Sequence, residues 1–258
     1  MTRAQLPPVL LLHALPLDAR MWRGPHQVLR AAGHRVIAHN QRGFGGVDLG
    51  AAPPDLAVVA DDVAAELDRQ AVESAVVAGC SMGVYVALAL LRHHPTRVRA
   101  LALLSGRATA DSPQAAAERR AFADVILDPV AGPALVERSS ALLLGATTRA
   151  ETPSLGEEVL SWARGADPAA VAWAQRAIAA RPDSQEALRE SRVPVLVAAG
   201  AEDTLAPLAE QQRMAVATPG ARCVTVPRAG HLLPLEAPAT VSGLLTDFAS
   251  SVRAPLVS

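Results

Sequence analysis

Ser81 stands at the centre of the pentapeptide Gly79-Cys80-Ser81-Met82-Gly83, with the apolar, β-branched run AVVA before it and VYVALALL after it. A serine on a sharp turn between a strand and a helix can serve as a nucleophile. Glycines on either side let neighbouring backbone pack close while the serine is held strained with its Oγ exposed. The helix that follows aims free N–H groups, beginning with Met82, at any oxyanion formed beside the serine. Glycine and serine also make ordinary turns, so the pentapeptide needs a base and an acid. The strand-like VPVLVAAG at 193–200 leads to Asp203, and the strand-like RCVTV at 222–226 leads through PRAG to His231. Ser81, His231 and Asp203 together would make a nucleophile, its base and the acid that orients the base, in the chain order Ser, Asp, His. Taken alone, Asp203 would read as a helix N-cap and His231 as a packed loop histidine. Glu202 is the adjacent alternative to Asp203, which is preferred.

A second oxyanion donor is expected near the N-terminus. The strand VLLL breaks at His13-Ala14-Leu15-Pro16 before a helix that starts near Asp18. Leu15 is the expected donor, because Pro16 has no N–H. His13 at the strand end reads as a hydrogen-bonded brace for the loop rather than as a catalytic group.

The elements that must hold these residues alternate along the chain. Strands are expected at about 8–13, 34–39, 75–80, 98–104, 194–199 and 222–226. Helices fall between them at about 18–32, 60–70, 82–93, 208–217 and 236–251. That alternation predicts an α/β fold, a mostly parallel sheet with helices on both faces. From 106 to 191 the chain becomes helical throughout, which divides it into core (1–105), inserted helical cap (106–191) and core again (192–258). An insertion above the strand C-termini lies where α/β sheets bind ligands, so it should cover Ser81 and shape the pocket. Trp162 and Trp173 lie in it and are candidates for substrate contact, with ordinary packing as the alternative. Leu15, Met82, Leu205 and Leu232 adjoin catalytic positions and are expected to supply apolar lining. Arg107 and Arg176 could anchor an acidic substrate, although surface ion pairing is the preferred reading for both.

Composition narrows the classes. With 258 residues and 50% apolar residues, the chain can bury one large core. Its 24 basic residues, balanced by 25 acidic ones, are all arginine. The absence of lysine excludes Schiff-base catalysis, and arginines scattered among acids with few aromatics argue against a nucleic-acid partner. Cys80 and Cys223 read as small buried hydrophobes rather than a disulfide. His93 and His94 read as a surface pair at a helix C-terminus rather than as metal ligands. No apolar span reaches membrane length and MTRAQLPP has no leader pattern, so no membrane partner and a cytoplasmic location are expected. The sequence leaves the oligomeric state open.

Five segments carry a resemblance. HALPLDARMW, NQRGFGG, GCSMG, GAEDTLAP and GHLLPLEAP fall in the order of the HGxP, DxRGxG, GxSxG, GxxD and GH motifs of the α/β-hydrolase superfamily. Over its whole length the chain resembles the branch of small esterases, enol-lactonases and non-haem haloperoxidases. The resemblance implies Ser81 as nucleophile, His231 as base, Asp203 as its orienter, and the amides of Leu15 and Met82 as oxyanion hole. Three departures stand out. Ala14 replaces a glycine and would restrict the loop if a positive φ were needed. Asn40 and Gln41 stand where DxRG carries an acid, and Val84 replaces a second glycine, crowding helix against strand. The expectation is a serine hydrolase for a carboxylic ester or lactone, needing no metal or organic cofactor. A thioesterase, acyltransferase or perhydrolase would use the same triad; a low-turnover binding protein is the alternative of a different class.

Overall fold

The computed structural model describes residues 6–252. In chain order the elements are β1 (Val9–Leu12), α1 (Arg23–Ala31), β2 (Val36–His39), α2 (Leu56–Arg69), β3 (Ala75–Cys80), α3 (Met82–His93) and β4 (Val98–Leu104). Then come α4 (Pro113–Val125), α5 (Ala131–Ala141), α6 (Ala146–Glu151), α7 (Pro153–Gly165), α8 (Pro168–Ala179) and α9 (Gln185–Ser191). The chain closes with β5 (Val195–Gly200), α10 (Leu208–Ala217), β6 (Arg222–Val226), α11 (Leu233–Glu236) and α12 (Pro238–Ser251). The helices start where side chains can take up free amides: Asp55, Ser112 and Asp167 each accept an N–H from the first turn that follows. Asp55 explains why α2 begins before the expected residue 60. The expected first helix is a 3-10 turn capped by Asp18, running on into α1.

The six strands pair in the order β2-β1-β3-β4-β5-β6, all parallel. Alternation along each strand divides the core between the two faces. Leu10, Leu12, Val77, Leu101, Leu103 and Val197 pack towards α2, α3 and α8, while Val9, Leu11, Val76, Ala102 and Leu196 pack towards Trp22, α1 and α12. Chain direction across the sheet reverses between β1 and β3. Loops leaving those two strands therefore part, opening a crevice at their C-terminal ends, where open α/β sheets bind ligands. The helices α4 to α9 are inserted between β4 and β5 above this crevice. At the far edge, β6 buries only Val226, so Cys223 is exposed and the expectation that it is buried is corrected. Among the described residues no helix is long and apolar enough to cross a membrane.

Candidate active site

Ser81 sits between β3 and α3 with φ 53° and ψ −113°, the left-handed half of the backbone map that a side chain rarely adopts. Two glycines make this turn possible. A Cβ on Gly79 would strike the carbonyl of Gly83, and one on Gly83 would strike the carbonyl of Leu12, so α3 packs directly on the loop after β1. The Ser81 amide is fixed by the Leu104 carbonyl at 2.9 Å. Among the described residues, the amides of Met82 and Leu15 donate to no protein acceptor. They lie at the ends of β3 and β1, on either side of the crevice.

The structure brings Ser81, His231 and Asp203 together. The Ser81 hydroxyl is 2.7 Å from His231 Nε2, and His231 Nδ1 lies 2.9 and 3.0 Å from the two Asp203 oxygens. Asp203 Oδ1 also accepts the amides of Leu205 and Ala206 at 2.9 Å each, so it caps the turn after β5 as well as meeting the imidazole. Burial opposes charge on this carboxylate. The His231 ring and the two amides outweigh it and hold the carboxyl below its ordinary range. Glu202 turns the other way and accepts the amide and hydroxyl of Thr147, in the first turn of α6. Beneath the site Cys80 is buried, its thiol pushed up by desolvation, and Sγ donates to the His231 carbonyl at 3.6 Å.

His13 is a brace. Fully buried, it accepts the Gln41 amide on Nε2 at 3.0 Å and lies 3.1 Å from the Ala14 carbonyl through Nδ1. Desolvation lowers its pKa to about 4, so the ring is neutral and Nδ1 donates. The Gln41 side chain returns a bond to the His13 carbonyl at 2.9 Å, which gives the non-acidic residue at this position a structural task. Arg42 pairs instead with Asp62, at 2.7 and 2.9 Å. Ala14 needs no positive φ, and Val84 fits because it packs on Gly106 after β4.

Ser81 and His231 open into a cavity of about 420 Å³ roofed by the inserted helices. Leu15 and Leu205 line it, joined by Phe122, Ile126, Val136 and Val171 from the insertion. The other candidates lie elsewhere. Trp173 is 8% exposed in the core, its Nε1 donating to the Ala52 carbonyl at 2.8 Å and its ring under Arg42. Trp162 lies against Arg20 at 4.9 Å and Arg23 at 6.0 Å, pinning α7 to the start of α1. Leu232 and the Met82 side chain are buried in the core. Each of these side chains faces the core or the insertion's outer seam, a choice of helix face that residue type leaves open. Arg176 makes the expected surface pair, with Asp124 at 2.7 Å. Arg107 does not: it lines the cavity, donates to the Leu205 carbonyl at 2.7 Å, and has no carboxylate partner among the described residues. No group of three or more metal-ligating side chains occurs among the described residues.

The family model for the alpha/beta hydrolase fold matches residues 7–238. A Variovorax paradoxus (strain S110) protein, "Putative carbamate hydrolase RutD", is 32% identical over 253 residues, covering 96% of this chain and 93% of its own. Among solved structures, a thermophilic esterase from Thermogutta terrifontis superposes with a TM-score of 0.91 at 33% identity, covering 97% of this chain and 92% of that one. The enol-lactonase from Burkholderia xenovorans LB400 superposes with a TM-score of 0.85 at 25% identity, covering 97% and 94%.

Proposed function

This chain belongs to the α/β-hydrolase fold family, and we propose that it is a serine hydrolase cleaving a carboxylic ester or lactone through an acyl-enzyme on Ser81. The observation that supports this reading best is the unbroken relay from Ser81 Oγ to His231 Nε2 at 2.7 Å and from Nδ1 to Asp203 at 2.9 Å, at the mouth of an apolar cavity. In this mechanism Oγ attacks the carbonyl carbon as its proton passes to Nε2. Asp203 keeps the proton on Nδ1 and stabilises the imidazolium, while the Leu15 and Met82 amides take the charge that develops on the carbonyl oxygen. Collapse of the tetrahedral species expels the alkoxide, which takes the proton from Nε2. Water, deprotonated by the same nitrogen, then releases the acid. The helices of residues 106–191 act as the cap that selects the acyl group, and the printed names of the esterase and enol-lactonase relatives agree with this substrate class.

A fluorophosphonate probe and a panel of p-nitrophenyl esters with graded acyl chains, small lactones and acyl thioesters test the proposal. Wild type should label at Ser81 and turn over an ester or lactone, and Ser81→Ala should lose both, with kcat down by about 10³-fold or more and the melting curve retained. His231→Ala should lower kcat by about 10³-fold or more with the melting curve retained, and near-normal turnover in that variant contradicts His231 as base. Thioester turnover far above ester turnover would move the assignment to a thioesterase.

A further inference from the structure

We infer that Glu236 is a positioning residue for His231, an inference that rests on the reading of His231 as the general base. Glu236 ends the short helix α11 and its side chain folds back over the loop from β6. Oε1 accepts the Leu232 amide at 2.9 Å and Oε2 accepts the Gly230 amide at 2.9 Å, so one carboxylate holds the N–H groups on both sides of His231. Oε2 also accepts the Gly145 amide at 2.8 Å and the Thr148 hydroxyl at 2.7 Å, from the chain entering α6. Four donors thus converge on one carboxylate. A carboxylate only accepts, and bonds to a charged acceptor are stronger than neutral ones, so each of these contacts favours a single loop geometry.

The backbone around this contact has no slack. A Cβ on Gly230 would strike the Gly145 amide, and one on Gly200 would strike the carbonyls of Ala229 and Gly230. From the other side the Cys80 thiol holds the His231 carbonyl. The ring is left with rotation about its own side-chain bonds, and Ser81 and Asp203 fix that rotation at its two nitrogens. Glu202 supplies an internal comparison. Its carboxylate grips the same segment through Thr147, while only its backbone amide meets the His231 loop, donating to the Ala229 carbonyl at 2.9 Å. Fastening the insertion and placing the base are therefore separable at the side chains: the Glu202 carboxylate does only the first, and that of Glu236 does both.

The test compares Glu236→Gln with Glu202→Gln and Thr148→Val, each of which cuts a bond to residues 145–148 alone. The readouts are kcat and KM for p-nitrophenyl acetate, the long-range proton–nitrogen NMR spectrum of the His231 imidazole, and the melting curve. Glu236→Gln brings an NH2 among four donors. It should lower kcat by about 10- to 100-fold with KM within about threefold, and should move the imidazole resonances. Glu202→Gln and Thr148→Val should keep kcat within about threefold and leave those resonances in place. An unchanged kcat and imidazole spectrum in Glu236→Gln overturns the inference, as does an equal loss in all three variants. If wild type shows no Ser81-dependent hydrolysis the functional reading fails, and the spectra alone still decide whether Glu236 places the ring. Should Glu236→Gln not fold, Glu236→Asp, which keeps the charge but shortens the reach, stands in with the same readouts and the same criteria.

Discussion

Glu202 and Asp203 are neighbours whose carboxylates serve different elements, because the turn after β5 points one towards Thr147 and the other towards His231. Asp203→Asn should lower kcat by about 10³- to 10⁴-fold, since an amide that donates to Nδ1 stabilises the wrong imidazole tautomer. Glu202→Gln should stay within a few-fold of wild type in the same assay, and the reverse result would make Glu202 the acid. His13 gives a prediction in stability. Burial lowers its folded pKa to about 4 against about 6.5 in the unfolded chain. Its contribution is therefore complete above pH about 6.5 and is lost as the pH falls towards 4, by on the order of 3 kcal/mol. Denaturant melts across that window should show a steeper loss in wild type than in His13→Asn, which has no ring to protonate. An equal slope in both would remove His13 as a source of acid sensitivity.

At the scale of elements, α3 must lie close to β3 and β4 for Ser81 to reach the crevice, and Val84 occupies space that a glycine would leave open. The matching gap is Gly106, where an added Cβ would approach Val84 Cβ to 2.6 Å. Gly106→Ala should destabilise the protein by about 1–3 kcal/mol through overpacking. Adding Val84→Ala should recover part of that loss, so a double-mutant cycle in urea should show coupling between the two sites. Such pairings explain what the chain discloses by inspection and what it does not. Ser81, Asp203 and His231 were legible because each follows a strand, and strands declare themselves by apolar runs. Leu15 and Leu205 were legible because they adjoin those strand ends. Trp162 and Trp173 were not, since their helices carry apolar residues on more than one face and only packing decides which face meets the cavity. Phe122, Ile126 and Val136 escaped notice for the same reason. Glu236 carried no signal at all, because its partners are mostly backbone amides brought from residues 145–148 and 230–232.

For the whole molecule, the division of labour between sheet and insertion predicts how changes in either are felt. Phe122 lines the cavity from α4, so Phe122→Ala should shift the preferred p-nitrophenyl ester towards longer acyl chains while keeping most of kcat for the best substrate. Trp173→Ala removes a core side chain instead and should lower stability by about 3–5 kcal/mol with an unchanged chain-length profile. A shifted profile in Trp173→Ala would return that residue to the pocket. The strand order has a further consequence, in time rather than space. β1 to β4 are complete within the first 104 residues and already present Ser81 between finished neighbours, whereas His231 stands 150 residues beyond Ser81, after the last strand to be added. On the proposed mechanism Ser81 has no proton acceptor until that strand is in place, so an unfinished chain should be inert towards a fluorophosphonate.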